Sequence, residues 1–210
     1  MTLTFFVRKY LLFALASCCF LLIAVVSPGL AHHPFGMGDG SDLSVWQSLV
    51  SGVGHPLLGP DHLLFMLGIA LLGLKSTKRW VLPLLAFGLG GSAFAQLQPL
   101  PYLLTPWIEA IVSLSLAIEG CIVLNFLSSK WLLPMFALHG YLLGNTIVGV
   151  ESTPLIGYFV GLFLGQGSLL LLVTAASQKV INSFDVNRQN VFAGIWIGIG
   201  VAFSWVALIQ

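Results

Sequence analysis

The chain has 210 residues, of which 58% are hydrophobic and only 7% are charged, and its formal net charge is +1. Because soluble domains carry about 25% charged residues, this composition excludes an ordinary soluble domain and predicts an integral membrane protein. The near-zero charge also excludes the basic surface of a nucleic-acid-binding protein. The cysteines, Cys18, Cys19 and Cys121, show no spacing typical of a disulfide framework or a thiolate metal site.

The first segment, residues 1–31, has the features of a secretory signal peptide. Arg8 and Lys9 form a charged start, residues 11–26 are apolar, and small residues precede a cleavage point after Ala31. An uncleaved first transmembrane helix is the alternative. In either case we expect the chain to emerge on the outer side of the membrane at residue 32.

Residues 32–56 are predicted to form an extracytoplasmic N-terminal segment. After cleavage, His32 would be the N-terminus, so its imidazole and the free α-amine would form a chelating pair, and His33 would add a further donor. An ordinary solvated terminus is the alternative. Residues 43–53 are predicted to form a short amphipathic piece in which Trp46 suits the membrane interface.

Six apolar segments follow, each near the roughly 20 residues that a helix needs to span a bilayer. They cover residues 57–74, 80–96, 102–127, 131–148, 155–176 and 191–209. The sequence therefore predicts an all-α integral membrane protein with a six-helix transmembrane bundle over residues 57–210. An uncleaved signal segment would make it seven helices.

The basic residues indicate the orientation of these spans. Every lysine and arginine falls on the same side of the predicted bundle: Arg8, Lys9, Lys75, Lys78, Arg79, Lys130, Lys179 and Arg188. Because loops rich in lysine and arginine stay in the cytoplasm, this side is predicted to be cytoplasmic. The mature N-terminus and the start of the first span are then expected to face outward.

The most distinctive stretch, residues 54–62, carries His55, Asp61 and His62 at the mouth of the first predicted span. On a continuous helix the two histidines would lie two turns apart and about 20° from the same face. The simpler interpretation is that His55 starts the helix and Asp61 caps it, with Pro56 and Pro60 both suited to a first turn. Capping does not require two histidines, however, so the trio favours a cation site.

Further ionisable residues fall inside the predicted spans, where such groups are rare and functional by default. Glu109 lies near the outer end of the third span and His139 lies near the middle of the fourth. With Asp61 and His62 they would line a descending path of nitrogen and oxygen donors, which suit divalent nickel or cobalt. The structural alternative for His139 is a hydrogen bond to a neighbouring group such as Glu109 or Asn145.

Other polar and small residues in the spans leave their roles open. Glu119 is either a protonated acid or an acid bonded to Ser115 one turn earlier, and a part in proton coupling stays undecided. Gln166 is either structural or part of the path. The glycines at 88, 90 and 91, and those at 194 and 198, predict close helix packing.

At these residues the sequence resembles the HupE/UreJ family of bacterial nickel and cobalt permeases, over nearly the whole chain. The most specific element is His-Pro-x-x-Gly-x-Asp-His over residues 55–62, followed by Leu-Leu-x-Met-Leu over 63–67. A Glu-x-x-x-Ser-x-Ser helix with Glu109, Ser113 and Ser115, and a Leu-His-Gly element over 138–140, support the resemblance.

The resemblance implies that His55, Asp61 and His62 recognise the metal and that His139 is a second contributor. It implies a bacterial inner-membrane permease that imports Ni²⁺ or Co²⁺ as its substrate and holds no permanent cofactor. The chain has no nucleotide-binding motif, so it is not expected to hydrolyse ATP. Members often carry histidines where this chain has Asn145 and Gln166, and this difference leaves the choice of metal open. Whether the protein forms a homo-oligomer is also left open.

Two other functions compete with the permease. The first is a non-transporting accessory protein for metalloenzyme maturation, which would need only the outer histidines. The second is an intramembrane serine protease, in which Ser92 and His139 would form a dyad. The protease interpretation explains neither the cluster at His55–His62 nor the outer double histidine, so the chain is not expected to be an enzyme.

Overall fold

The computed structural model describes residues 44–74, 77–148 and 152–209, and over these residues it is helical with no strand. This confirms the predicted all-α class. The predicted signal peptide, His32 and His33 lie outside the described residues. The α-helices are α1 (Val45–Leu58), α2 (Pro60–Gly68), α3 (Thr77–Leu97), α4 (Thr105–Val123), α5 (Leu132–Asn145), α6 (Ser152–Asn182) and α7 (Val186–Ile209).

Short 3-10 helices extend three of these elements. They are Ile69–Leu72 after α2, Tyr102–Leu104 before α4 and Ser129–Trp131 before α5. The first of them ends at Gly73, whose φ of 62° lies in the left-handed region that glycine adopts without strain. The helical segment Pro60–Leu72, which consists of α2 and this 3-10 helix, therefore ends close to residue 74, where the sequence predicted the end of the first span.

The first predicted span, residues 57–74, contains α2 and the 3-10 helix that follows it, but the break before α2 and the full length of α1 were not predicted. α1 begins at Val45, where Ser44 and Gln47 form a capping box, and it ends at the break at Gly59. Gly59 is extended because the following Pro60 disfavours a helical conformation in the residue before it. The axes of α1 and of the helical segment Pro60–Leu72 differ by 69°, so the two form a broken span or a re-entrant loop.

Three pairs of helices make the most extensive contacts: α1 with α6, α3 with α5, and α4 with α7. Glycines allow the backbones of each pair to approach closely. At Gly161 of α6 a β-carbon would collide with the carbonyl of Leu49 in α1, and at Gly140 of α5 it would collide with the backbone of Gly88 in α3. The predicted glycine packing is therefore present, although not everywhere it was expected.

The expected packing at Gly194 and Gly198 was wrong. A β-carbon at either position, or at Gly90, would meet no atom within 4 Å. The α4–α7 contact instead uses Gly120 and Gly200, which lie against the backbones of α7 and α4 respectively. A four-residue glycine spacing thus did not identify the packed face of α7.

Among the described residues, four helical segments are long and apolar enough to cross a membrane: Arg79–Leu97, Tyr102–Val123, Leu155–Asn182 and Val186–Ile209. The bent pair of α1 and α2 raises the number to five if it is one span. The remaining predicted span corresponds to α5, which has 14 residues. At about 1.5 Å per residue, α5 alone is shorter than the roughly 30 Å of a hydrocarbon core.

Candidate metal site

The helix break places His62 in the first turn of α2, beside the middle of α5. Its Nδ1 lies 3.0 Å from Asp61 Oδ1, and its Nε2 lies 3.3 Å from the backbone oxygen of His139. A carboxylate and a carbonyl only accept hydrogen bonds, so the ring donates from both nitrogens. A ring that carries both protons is an imidazolium, and its charge would pair with the Asp61 carboxylate 3.0 Å away.

His139 of α5 is buried and lies directly against His62. The two rings are perpendicular, with their centroids 4.6 Å apart. Phe65 stacks on the other side of the imidazole at 4.2 Å, with the ring planes 7° apart. His139 Nε2 lies 2.7 Å from the hydroxyl of Ser115 in α4, whereas its Nδ1 is buried without a hydrogen-bond partner in the described part of the chain.

This geometry corrects the structural partners expected for His139. The sequence suggested Glu109 or Asn145, but the observed partner is Ser115. The amide oxygen of Asn145 instead accepts a bond of 2.9 Å from the backbone nitrogen of Leu100. Ser115 therefore belongs to the site, although the sequence analysis considered it only as a neighbour of Glu119 and as part of the Glu-x-x-x-Ser-x-Ser element.

His55 lies on the other side of the break, buried in the last turn of α1. Its Nδ1 is 3.2 Å from the hydroxyl of Tyr158 in α6, and that hydroxyl donates to the carbonyl of Leu143 in α5 at 2.8 Å. Since the hydroxyl hydrogen is directed to Leu143, its oxygen accepts from His55 Nδ1. The tautomer with its proton on Nδ1 carries the ring's lone pair on Nε2.

Tyr158 was missed by the sequence analysis. Its side chain is among the largest that the described structure buries completely, and its hydroxyl joins α1, α5 and α6. The available signal was a tyrosine inside an apolar segment, since a buried phenol usually finds a hydrogen-bond partner. Nothing in the local sequence, however, indicated that the partner would be His55.

The continuous histidine stripe expected from His55 to His62 was wrong, because the break at Gly59 separates them onto α1 and α2. Asp61 does lie in the first turn of α2, as expected, but its carboxylate bonds to the His62 ring. The N-cap residue is Gly59, which provides no side-chain cap. Pro60 does lie in the first turn of α2, as the simpler interpretation expected. Its other roles are not observed, because His55 lies in the last turn of α1 and Pro56 lies inside that helix.

Glu109 is half-buried in α4 and interacts electrostatically with His62. The structure thus brings four of the predicted metal residues into one neighbourhood: Asp61, His62, Glu109 and His139. Within the described residues, however, no three histidine, cysteine, aspartate or glutamate side chains are arranged to hold a metal ion. The cluster is a set of donors that bond to one another rather than a preformed metal cage.

Two deeper polar residues flank this cluster. The Glu119 carboxyl accepts a hydrogen bond of 3.1 Å from the Trp196 indole of α7, and not from Ser115 as the sequence had suggested. Gln166 of α6 is also buried, and its Oε1 has no hydrogen-bond partner in the described residues. Each of these two side chains therefore keeps one oxygen that no described residue pairs inside the bundle.

The dyad of Ser92 and His139 is not the observed pairing. The Ser92 hydroxyl lies 2.7 Å from the carbonyl of Gly140 and 3.2 Å from that of Gly88, so it joins α3 to α5. The hydroxyl that contacts His139 belongs to Ser115. Ser92 therefore has a packing role at this contact.

The fold and the site together define the class: an all-α, multi-pass membrane protein with a histidine–carboxylate cluster at a broken helix. The family described as HupE / UreJ protein matches residues 20–203. The chain therefore belongs to the HupE/UreJ family, as the sequence resemblance predicted. This family is associated with nickel and cobalt uptake or with accessory roles, and it is not an enzyme family. No curated protein and no solved structure matches the chain.

Proposed function

We propose that this protein is a permease that imports Ni²⁺ or Co²⁺ through a path lined by His55, Asp61, His62, Glu109 and His139. The observation that carries the proposal is the contact between His62 and His139 beside the break in the first span. In membrane transporters, discontinuous helices supply ion sites because irregular backbone is tolerated where it lines a cavity. Imidazole and carboxylate donors suit divalent nickel and cobalt.

The resting contacts suggest how an ion would enter. His62 donates to both Asp61 and the His139 carbonyl, so an incoming ion has to replace a proton on this ring before the ring can bind it. Removing His62 from the carbonyl would bring its nitrogen, the Asp61 carboxylate and His139 to the ion together. A ligand cage assembled in this way holds the ion weakly enough to release it inward.

The membrane potential is a sufficient driving force in this scheme. A potential that is negative inside favours entry of a divalent cation by about 4.6 kcal/mol per 100 mV, at about 2.3 kcal/mol per charge. We place the protein in the bacterial inner membrane with the basic loops in the cytoplasm, so that the Asp61 end faces outward. The predicted outer histidines, His32 and His33, would then capture the ion first.

An accessory role in metalloenzyme maturation is the second candidate. The observation in its favour is that the donors of the described residues do not form a ready metal cage. Against it stand the burial of His139 and its bond to Ser115, since a receptor on the outer face has no need of a buried imidazole.

Uptake of radioactive nickel and cobalt, each alone and in competition, tests the proposal in cells that express the chain. We expect accumulation of one metal to fall to background in His62→Ala and to persist in Ser168→Ala. Ser168 is an exposed polar residue of α6 that donates to the carbonyl of its own helix residue Gly165. No accumulation of either metal by the intact protein, with its presence in the membrane verified, would reject the permease.

A further inference from the structure

Glu119 is a buried acid that the proposed path does not yet use. Its side chain lies in α4 and is 1% exposed. One oxygen, Oε2, accepts the indole hydrogen of Trp196 at 3.1 Å, and the other, Oε1, has no hydrogen-bond partner in the described residues. A β-carbon at Gly68 of α2 would collide with the carboxyl group, so the acid lies directly against the α2 backbone.

No positive charge compensates this acid among the described residues. α2 contributes the backbone of Gly68, α7 contributes the neutral indole of Trp196, and no charged group of the described elements acts on the carboxyl electrostatically. A carboxylate buried without a cation is very unfavourable, and such a group stays neutral by keeping its proton. Asp61, by contrast, lies beside the His62 ring, which can carry a positive charge.

The position of Glu119 links it to the metal cluster. Ser115, which holds His139, precedes Glu119 by one turn of α4, so the two side chains differ in direction by only about 40°. On the other side, α4 ends one turn later at Val123. The acid therefore lies between the histidine cluster and the end of the helix that we place on the cytoplasmic side.

We propose that Glu119 is a proton-exchange site, which is protonated when the path is empty and releases its proton when the divalent cation reaches the His139 level. This proposal rests on the proposed permease function. In the exchange the O–H bond of the carboxylic acid breaks, the proton passes to water at the end of α4, and the carboxylate that remains offsets one charge of the ion. The site thus lowers the cost of a divalent charge in the apolar part of the path.

Infrared spectroscopy of the purified full-length protein in lipid vesicles tests this assignment. The chain has three glutamates, Glu109, Glu119 and Glu151, so a ¹³C label on glutamate carboxyls separates them from the aspartates. At pH 8 we expect one labelled carbonyl band of a protonated acid, which is absent in Glu119→Gln and present in Glu109→Gln. On addition of Ni²⁺ or Co²⁺ the band should disappear.

Proton release at pH 8 provides a second readout. Any proton that the His62 ring loses on metal binding is released by both proteins. We therefore expect the unmodified protein to release about one proton more per bound ion than Glu119→Gln. The exchange would be overturned if the labelled unmodified protein showed no acid band, or if its band persisted after metal had bound. Both outcomes are read from the unmodified protein, so they hold even if the variant fails to fold. If the band persists because the protein binds no metal, the permease is rejected and the exchange with it.

Discussion

Asp61 and Glu119 are both acids within the helical bundle, but the protein compensates them in opposite ways. Asp61 lies beside the ring of His62, which also reaches the His139 carbonyl, so negative and positive charge balance at the helix break. Within the described part of the chain, Glu119 has one neutral indole partner and an unpaired oxygen. The comparison teaches that a carboxyl group can be buried either beside an imidazole ring or as a neutral acid, and only in the second case does the acid itself hold the proton to exchange.

The two regions are joined by Ser115, whose hydroxyl contacts His139 and whose helix carries Glu119 one turn later. In the proposed permease the ion would disrupt the first region when it enters and change the charge of the second when it advances.

The largest effect is expected for His139→Ala, which removes the central imidazole. Loss of a residue that only supports a metal ligand already lowers metal affinity or activity about 10- to 100-fold. We therefore expect initial uptake of Ni²⁺ or Co²⁺ by His139→Ala to fall by more than about 100-fold. Ser92→Ala is the matched control, because Ser92 bonds to the neighbouring carbonyl of Gly140 without contacting the ring nitrogen. Unchanged uptake in His139→Ala would favour an accessory protein with an outer site.

Acidification should weaken uptake strongly. Imidazole binds a metal only when it is neutral, and its ordinary pKa is about 6.5, so each pH unit below that value reduces the neutral form of one ring about tenfold. We therefore expect uptake at a fixed membrane potential to fall about tenfold per unit below pH 6.5. A rate that is flat between pH 7 and pH 5 would show that no histidine has to lose a proton.

Ser115→Ala tests the link between the two regions. Removing the hydroxyl leaves His139 Nε2 without its partner and the ring less firmly oriented, so we expect about a tenfold loss of metal affinity. Isothermal titration of the purified variant with Ni²⁺ or Co²⁺ measures this loss. Ser113→Ala is the control, since Ser113 is a buried serine of the same helix, and equal losses in both variants would contradict a specific role for Ser115.

The smallest effect is expected for Tyr158→Phe, which keeps the ring and removes the hydroxyl that joins His55 to Leu143. Loss of these bonds should reduce the free energy of unfolding by about 1 kcal/mol and also weaken metal binding. Tyr141→Phe removes a comparable bond, to the carbonyl of Gln98, at an exposed position. Thermal unfolding measures the stability of both variants, and metal titration should show weaker binding only in Tyr158→Phe. Equal metal binding by both variants would show that His55 is not part of the metal site.

The sequence predicted the class of fold and the residues of the cluster because both depend on local signals. Long apolar segments predict helices in a membrane, and Asp61 followed by His62 fixes the first contact of the site within one turn. The break at Gly59 also has a local cause in Pro60, but the importance of α1 could not be predicted, because it depends on long-range packing against the glycines of α6.

The partners of the histidines could not be predicted for the same reason. Whether His139 bonds to Ser115, Glu109 or Asn145 depends on how α4 and α5 are rotated against each other, and this follows from packing of the whole bundle. The same holds for His55 and Tyr158, which are distant in sequence and meet through the α1–α6 contact. Residue types thus indicated the chemistry, while tertiary packing determined the pairs.

Ion flux into sealed lipid vesicles that contain only this protein tests the central claim most directly. With a metal-sensitive dye inside and a potassium diffusion potential across the membrane, Ni²⁺ or Co²⁺ should enter, and an inside-negative potential should accelerate entry. The flux should be lost in His139→Ala and kept in Ser92→Ala. Vesicles that carry correctly inserted protein but admit neither metal would contradict the permease and leave the accessory role.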